Sequence, residues 1–345
     1  MTGPGALRPR NDYPRGRVVE LRHRSGVLSD SVLGEPADRL HHVYLPPDYA
    51  DNDCRYPLLV CLAPYTSSGP AQVGWRNHGE NLPQRLDRLH AEGRMGAVIA
   101  LFPESYTVLG GNQFVNSPAL GPWADIVGHE LVQRIDAEFR TFATPFSRAV
   151  FGKSSGGFGA LHLAMTQPGR WGAAACHAGD MGFDRCYRPG FPAACRVLER
   201  HDFDLEAFVR TFWRRNKPTG PEVEALMVLC LAASYDPDPQ RPLGLRLPFT
   251  PRTCELIDEA WAAWLRFDPV QSAPAHAESL RQLGGLWLDV GRDDQYFMQY
   301  GTRQLADRLA ELGVAHRFEE FDGTHSGIDW RLDESLPFLY QSLKF

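Results

Sequence analysis

Nowhere among the 345 residues is there the run of about 18 apolar residues that a membrane-spanning helix needs. The opening Met1-Thr-Gly-Pro-Gly-Ala-Leu-Arg-Pro-Arg10 has no apolar segment behind its charges, so it does not read as a secretory signal. Cysteine is scarce and unpatterned. The seven thiols (54, 61, 176, 186, 195, 230 and 254) are odd in number and contain no C-x-x-C pair, which argues against a disulfide scaffold and for free thiols in a reduced, cytoplasmic setting. H-E-x-x-H, paired Cys/His spacings and EF-hand loops are all missing, so no metal or other cofactor is called for. Positive charge is not in excess either, since 36 Lys+Arg face 42 Asp+Glu for a net charge of −6. A chain without a broad positive field is a poor candidate for binding nucleic acid or an anionic membrane.

What is present is a globular composition, 43% hydrophobic and 23% charged, which supplies a sizeable core and excludes disorder, collagen and coiled coil. At roughly 150 residues per domain the length suggests two domains, but one α/β domain with an insertion accounts for it equally well. Arg8, Arg10, Arg15, Arg17, Arg22 and Arg24 make the start locally basic. Asp12 and Glu20 interrupt them and no aromatics interleave, so the stretch reads as a solvated arm, with residues 1–35 holding that arm and the first strand.

Beyond it, short apolar runs alternate with amphipathic stretches, the rhythm of a mostly parallel sheet with crossover helices. Strands are expected at 42–45, 57–63, 97–102, 148–151, 173–176, 286–290 and 316–321. Helices are expected at 122–140, from Val127, Leu131, Ile135 and Phe139, and at 299–312, with Gly313 ending the second. The α/β core then occupies 36–182 and 284–345. Residues 183–283 break the rhythm with helical pieces and Pro-rich joints, too long for a loop, and read as a helical cap insertion. Its Phe203, Phe208, Phe212, Trp213, Trp261 and Trp264 either line a pocket or form the cap's own core.

The chemistry centres on Phe151-Gly-Lys-Ser-Ser-Gly-Gly-Phe-Gly159, directly after a strand and before a helical stretch. As G-x-S-x-G it sets Ser154 on a tight strand-to-helix turn, with glycines relieving crowding and a helix N-terminus favouring developing negative charge. A P-loop would need Gly where Ser147 stands, and a dinucleotide fingerprint from Gly157 would need Gly where His162 stands. A serine nucleophile requires a histidine base and an acid to orient it. Asp294, in Gly291-Arg-Asp-Asp-Gln295, and His325, in Phe321-Asp-Gly-Thr-His325, each follow a strand at its carboxyl end, in the order Ser, acid, His. Asp289, Asp293 and Asp329 compete for the acid role; Asp294 is preferred because a G-x-x-D turn carries its carboxylate clear of the strand. Two oxyanion N–H groups are needed: one from Ser155, the other from the loop after the 57–63 strand. Pro64 has no N–H there, which leaves Tyr65, with Thr66 as runner-up.

These residues resemble the Putative esterase branch of the α/β-hydrolases, which includes S-formylglutathione hydrolases, feruloyl esterases, enterochelin-esterase-like proteins and the antigen 85 acyltransferases. The likeness covers about 40–182 and 284–345. It rests on Asn116-Ser-Pro through Trp123, Glu130-Leu131 to Ile135-Asp136, Phe139-Arg-Thr141, Arg148 to Ala160, Gly291 to Gln295, Gly323-Thr-His325 and Asp329-Trp-Arg331. The resemblance implies an α/β-hydrolase fold, with Ser154 as nucleophile, Asp294 as acid, His325 as base and Tyr65 with Ser155 as oxyanion donors. Many relatives carry His or Leu at position 153 and Met at 155; Lys153 would need an acidic partner such as Glu104 or Asp180 if it points inward, or else reaches solvent. His177 and Asp180, near the same edge, read as structural or as touching substrate, and Trp123 as stacking on an acyl group or capping its helix.

The expected activity is hydrolysis of a small-molecule ester or thioester through an acyl-enzyme. An acyltransferase would use the same triad, a non-catalytic binding protein could use the same fold, and nothing bars a homo-oligomer.

Overall fold

The computed structural model describes residues 13–28 and 30–345. Arg8 and Arg10 of the expected arm lie outside the described residues. Eight strands form one sheet: β1 (Arg17–Arg24), β2 (Asp38–Leu45), β3 (Leu58–Leu62), β4 (Ile99–Phe102), β5 (Arg148–Lys153), β6 (Ala173–His177), β7 (Gly285–Gly291) and β8 (Arg317–Phe321). Their order is β1-β2-β4-β3-β5-β6-β7-β8. β1 and β2 pair antiparallel, as do β2 and β4, and all other neighbours are parallel.

The parallel strands are short apolar runs because both faces are covered. In β3, Leu58, Val60 and Leu62 enter one core, while Leu59 and Cys61 enter another on the opposite face. Helix α1 (Leu82–Ala91) and the C-terminal helix Leu332–Ser342 supply apolar side chains to the second core. β1 corrects the reading of Arg17, Arg22 and Arg24 as arm residues. They are exposed residues of an edge strand that turns Val19, Leu21 and His23 inward, with Leu21 the one buried side chain.

The expected 122–140 helix is interrupted. Trp123–Asp125 is α-helical, Ile126–Leu131 is a π-helical stretch and α2 (Val132–Glu138) follows. Gln167 Nε2 donates to Ala124 O at 2.8 Å, so an amide from a distant segment takes up a carbonyl of the first turn as the widened turns begin.

The chain steps from β3 outward to β4 and then returns to β5 on the other side of β3. The crevice at the carboxyl ends of β3 and β5 is therefore a topological switch point, where open α/β sheets place their sites. Between β6 and β7 lie the helices α4 (Phe191–Glu199), α5 (Leu205–Arg214), α6 (Gly220–Tyr235) and α7 (Asp258–Leu265), preceded in the chain by α3 (Ser155–Thr166). From Ala225 onward α6 is almost wholly apolar and, apart from half-buried Met227, buried, as a helix packed on most of its faces must be. Among the described residues no helix is long and apolar enough to cross a membrane.

Candidate active site

Ser154 stands between β5 and α3 with φ 56° and ψ −127°, outside the regions a non-glycine residue ordinarily occupies. The turn closes only because its neighbours lack side chains. A Cβ on Gly152 would lie 2.4 Å from the backbone of Gly156, and one on Gly156 would lie 2.1 Å from Leu62 O. The turn is also tied to the next strand, since Ser154 N donates to His177 O at 2.9 Å.

The loops after β7 and β8 are stitched together. Arg292 N donates to Phe321 O at 2.9 Å and Asp293 N to Gly323 O at 3.0 Å. This brings His325 Nδ1 to 2.7 Å from Asp294 Oδ2, with both residues buried. Asp294 Oδ1 accepts from Tyr296 N at 2.9 Å, Gln295 Oε1 accepts from His325 N at 3.0 Å, and the Tyr296 ring meets the imidazole edge-on with centroids 5.0 Å apart. The competing acids are elsewhere: Asp293 is exposed, Asp329 pairs with Arg76, and Asp289 is buried inside β7.

Ser154, His325, Tyr65 and Lys153 all line one cleft of about 570 Å³. Thr66 N is committed to Gly110 O at 3.0 Å, so the runner-up is not free to act as an oxyanion donor. Ser155, as the first residue of α3, has no intrahelical partner for its N–H. The Tyr65 side chain turns away and donates to Leu109 O at 2.8 Å.

Sequence reasoning grouped Asp180 with His177, and the structure separates them. His177 is held at both ring nitrogens, by Asp289 Oδ1 at 2.7 Å and Ser335 Oγ at 2.9 Å, and has no part in the cleft. Asp180 is completely buried, and its carboxylate accepts from Ser154 Oγ at 3.3 Å, Ser155 Oγ at 2.9 Å and Tyr187 OH at 2.9 Å. The network extends through Gln113, which donates to Ser155 Oγ at 2.8 Å and accepts from Tyr235 OH at 3.1 Å. Burial raises the Asp180 carboxyl above the usual range, against the opposing pull of the Tyr187 and Ser155 hydroxyls. An Asp three residues past a strand at the catalytic edge was the available signal; its partners on α3 and the cap were not visible in sequence. Asp180→Ala would leave the Ser155 and Tyr187 hydroxyls without their acceptor, and should cost about 1–3 kcal/mol in chemical denaturation. An unchanged midpoint would show that the network contributes nothing to stability.

The six cap aromatics singled out in the sequence, Phe203 among them, do not line the cleft; the cap aromatic that does is Tyr187. Phe208, Phe212, Trp261 and Trp264 are buried in the cap's own packing, with the Phe191 and Trp261 centroids 5.7 Å apart, while Trp213 is exposed and donates to Val108 O. The rest of the cap's contribution to the cleft is mostly apolar, from Val223, Met227, Val228 and Leu231 of α6, with Glu224 as its one charged side chain. Trp123 is buried and donates to Leu120 O at 3.0 Å, with the Arg39 guanidinium 5.1 Å from its ring centroid, so it packs and does not reach the cleft. Among the described residues no group of three or more His, Cys, Asp or Glu is placed to hold a metal ion.

The sequence model of the family described as Putative esterase matches residues 36–335. Among solved structures, a ferulic acid esterase superposes with a TM-score of 0.61 at 18% identity, covering 96% of this chain and 99% of that one. An S-formylglutathione hydrolase from Agrobacterium tumefaciens gives 0.55 at 15% identity, covering 96% and 97%. A fluorophosphonate-binding serine hydrolase of Staphylococcus aureus gives 0.53 at 16% identity, covering 96% and 100%. No match is found among curated proteins. At these identities the structural likeness carries the fold, which is the α/β-hydrolase fold.

Proposed function

Because the chain belongs to the Putative esterase family and is a carboxylic ester hydrolase, we propose that it cleaves a small-molecule ester or thioester by two-step acyl transfer through Ser154. The observation that carries this reading is the 2.7 Å His325–Asp294 pair sharing a cleft with a serine held at φ 56°. Asp294 fixes His325 with Nδ1 protonated, so Nε2 is free to accept the Ser154 proton. Ser154 Oγ then attacks the carbonyl carbon, and the oxyanion rests on the N–H groups of Tyr65 and Ser155. His325 returns the proton to the leaving alcohol or thiol as the C–O or C–S bond breaks. It next takes a proton from water, whose oxygen attacks the acyl-enzyme and releases the acid and the serine. Attack requires the Ser154 hydroxyl to leave Asp180 for His325, and the longer 3.3 Å contact is the weakest of the three that Asp180 accepts.

Val223, Met227, Val228 and Leu231 of α6 give the cleft an apolar wall suited to the acyl or aryl part of the substrate. Residues 183–283 act as the cap that shapes this wall. All seven cysteines are free thiols, an arrangement suited to the reducing cytoplasm. A neutral fluorophosphonate tests the nucleophile directly: the wild-type protein should be labelled in minutes and Ser154→Ala not at all. Labelling of the alanine variant at the same rate would place the nucleophile at another residue.

A further inference from the structure

Lys153 ends β5, immediately before the nucleophile, and is half-buried. Neither acid expected to pair with it does so. Glu104 Oε2 accepts from Arg39 at 2.6 Å, and Asp180 is committed to three hydroxyls. The two carboxylates whose fields reach the ammonium are Asp329, paired with Arg76, and Asp294, paired with His325. Burial lowers the proton affinity of Lys153 and those two acids only partly offset it. Among the described residues the ammonium has no carboxylate or hydrogen-bond acceptor in contact, which is destabilising for a half-buried charge, and an arriving anion would relieve it.

There is room for one. A side cavity of about 300 Å³ opens beside the catalytic cleft, and Pro64, Ser67 and Lys153 line both. The charged groups lining it are Lys153, Arg76 and Asp329, so it carries a net charge of about +1 once Arg76 and Asp329 offset each other; His177, also in its wall, is engaged at both ring nitrogens. One excess positive charge matches a single carboxylate better than a phosphate dianion.

We propose that this side cavity is a subsite for a carboxylate borne by the ester substrate, with the Lys153 ammonium as its main ligand and Arg76 as the second. The inference rests on Ser154 being the nucleophile of the adjoining cleft. It deepens that reading by assigning the substrate class: a monoanionic ester whose reacting carbonyl lies in the cleft while its carboxylate reaches past Pro64 and Ser67.

The experiment compares chromogenic esters in charged and neutral pairs. Mono-4-nitrophenyl glutarate against 4-nitrophenyl pentanoate puts the charge on the acyl side, and 4-acetoxybenzoate against 4-acetoxybenzamide puts it on the alcohol side. In at least one pair the wild-type protein should favour the anionic ester, and Lys153→Met should lower the anionic-to-neutral ratio of kcat/KM by roughly tenfold to a hundredfold, the effect of losing a hydrogen bond to a charged group. Arg76→Gln should lower the same ratio by less, which keeps the test available if Lys153→Met does not fold. Inorganic phosphate is the contrasting anion and should protect the protein from a fluorophosphonate less well than glutarate at equal concentration. Ratios unchanged by both substitutions, in a wild-type protein that the fluorophosphonate labels, would overturn the subsite and leave the nucleophile standing. Stronger protection by phosphate would overturn the carboxylate assignment. A wild-type protein that resists labelling would overturn the reading of Ser154, and the subsite with it.

Discussion

Ser154→Ala is expected to lower kcat by about 10⁶, with KM little changed, because it removes the atom that becomes acylated while leaving the oxyanion donors and the cleft in place. Alanine can occupy the same strained turn, since the crowding that shapes it comes from Gly152 and Gly156 against the β3 backbone and not from the serine side chain. The informative companion is Asp294→Asn, expected to cost about 10⁴ in kcat. An asparagine whose amide donates to Nδ1 would hold the proton of His325 on Nε2, where it cannot accept from Ser154. This second variant also separates two readings of the site. In the structure the Ser154 hydroxyl contacts Asp180, not His325. If Asp180 were the base, Asp294→Asn would leave kcat within about tenfold of wild type, because no proton would pass through the imidazole. Stopped-flow hydrolysis of a 4-nitrophenyl ester, with protein concentrations corrected for folded fraction by circular dichroism, distinguishes the two results.

The turn that holds Ser154 was legible in the sequence because its determinants are local. A strand, a serine between glycines and a helix follow one another within about a dozen residues, and each imposes the next. Asp294 and His325 were legible for a related reason: each sits just past an apolar strand, and strand ends in a parallel sheet converge on one edge. What stayed hidden depends on residues far apart in the chain. β1 alternates weakly, with Leu21 buried and Val19 and His23 half-buried between exposed residues, and its arginines mask that pattern. The π-helical turns before α2 accompany an amide from Gln167, outside the window over which periodicity is read. Asp180 and Lys153 are the clearest cases. Lys153 was expected either to reach solvent or to pair with an acid such as Glu104 or Asp180, yet the fold gives Asp180 three hydroxyl donors from the turn, α3 and the cap, and gives Lys153 no hydrogen-bond or ion-pair partner among the described residues. Polar pairing inside a protein is settled by which acceptors are already occupied, and that is a property of the packed molecule.

Asp289→Ala is expected to destabilise the protein by about 3–5 kcal/mol at pH 7, the penalty for removing one partner from a buried charged network. Asp289 is inaccessible to solvent at the centre of β7, where its carboxylate accepts from His177 Nδ1 at 2.7 Å, Trp287 Nε1 at 2.9 Å and Arg331 Nε at 2.9 Å. Burial alone would raise its carboxyl, but His177, Trp287 and Arg331 together hold it below the usual range. For an acid depressed in the folded state, the added stability is fully present above the unfolded value near 3.8 and is lost as pH falls through the lower folded value. The gap between wild type and Asp289→Ala in urea denaturation should therefore be widest at neutral pH and narrow below about pH 4. A gap that stays constant down to pH 3 would assign the loss to packing alone. The same substitution bears on catalysis by way of the backbone. Ala178 N donates to Asp289 O at 2.7 Å and Ser154 N to His177 O at 2.9 Å, so the turn that carries Ser154 hangs from the strand end this cluster fixes. Under conditions where the variant remains folded, its kcat should fall while its affinity for a neutral product alcohol changes little, because the loosened part is the position of Ser154 and not the wall of the cleft.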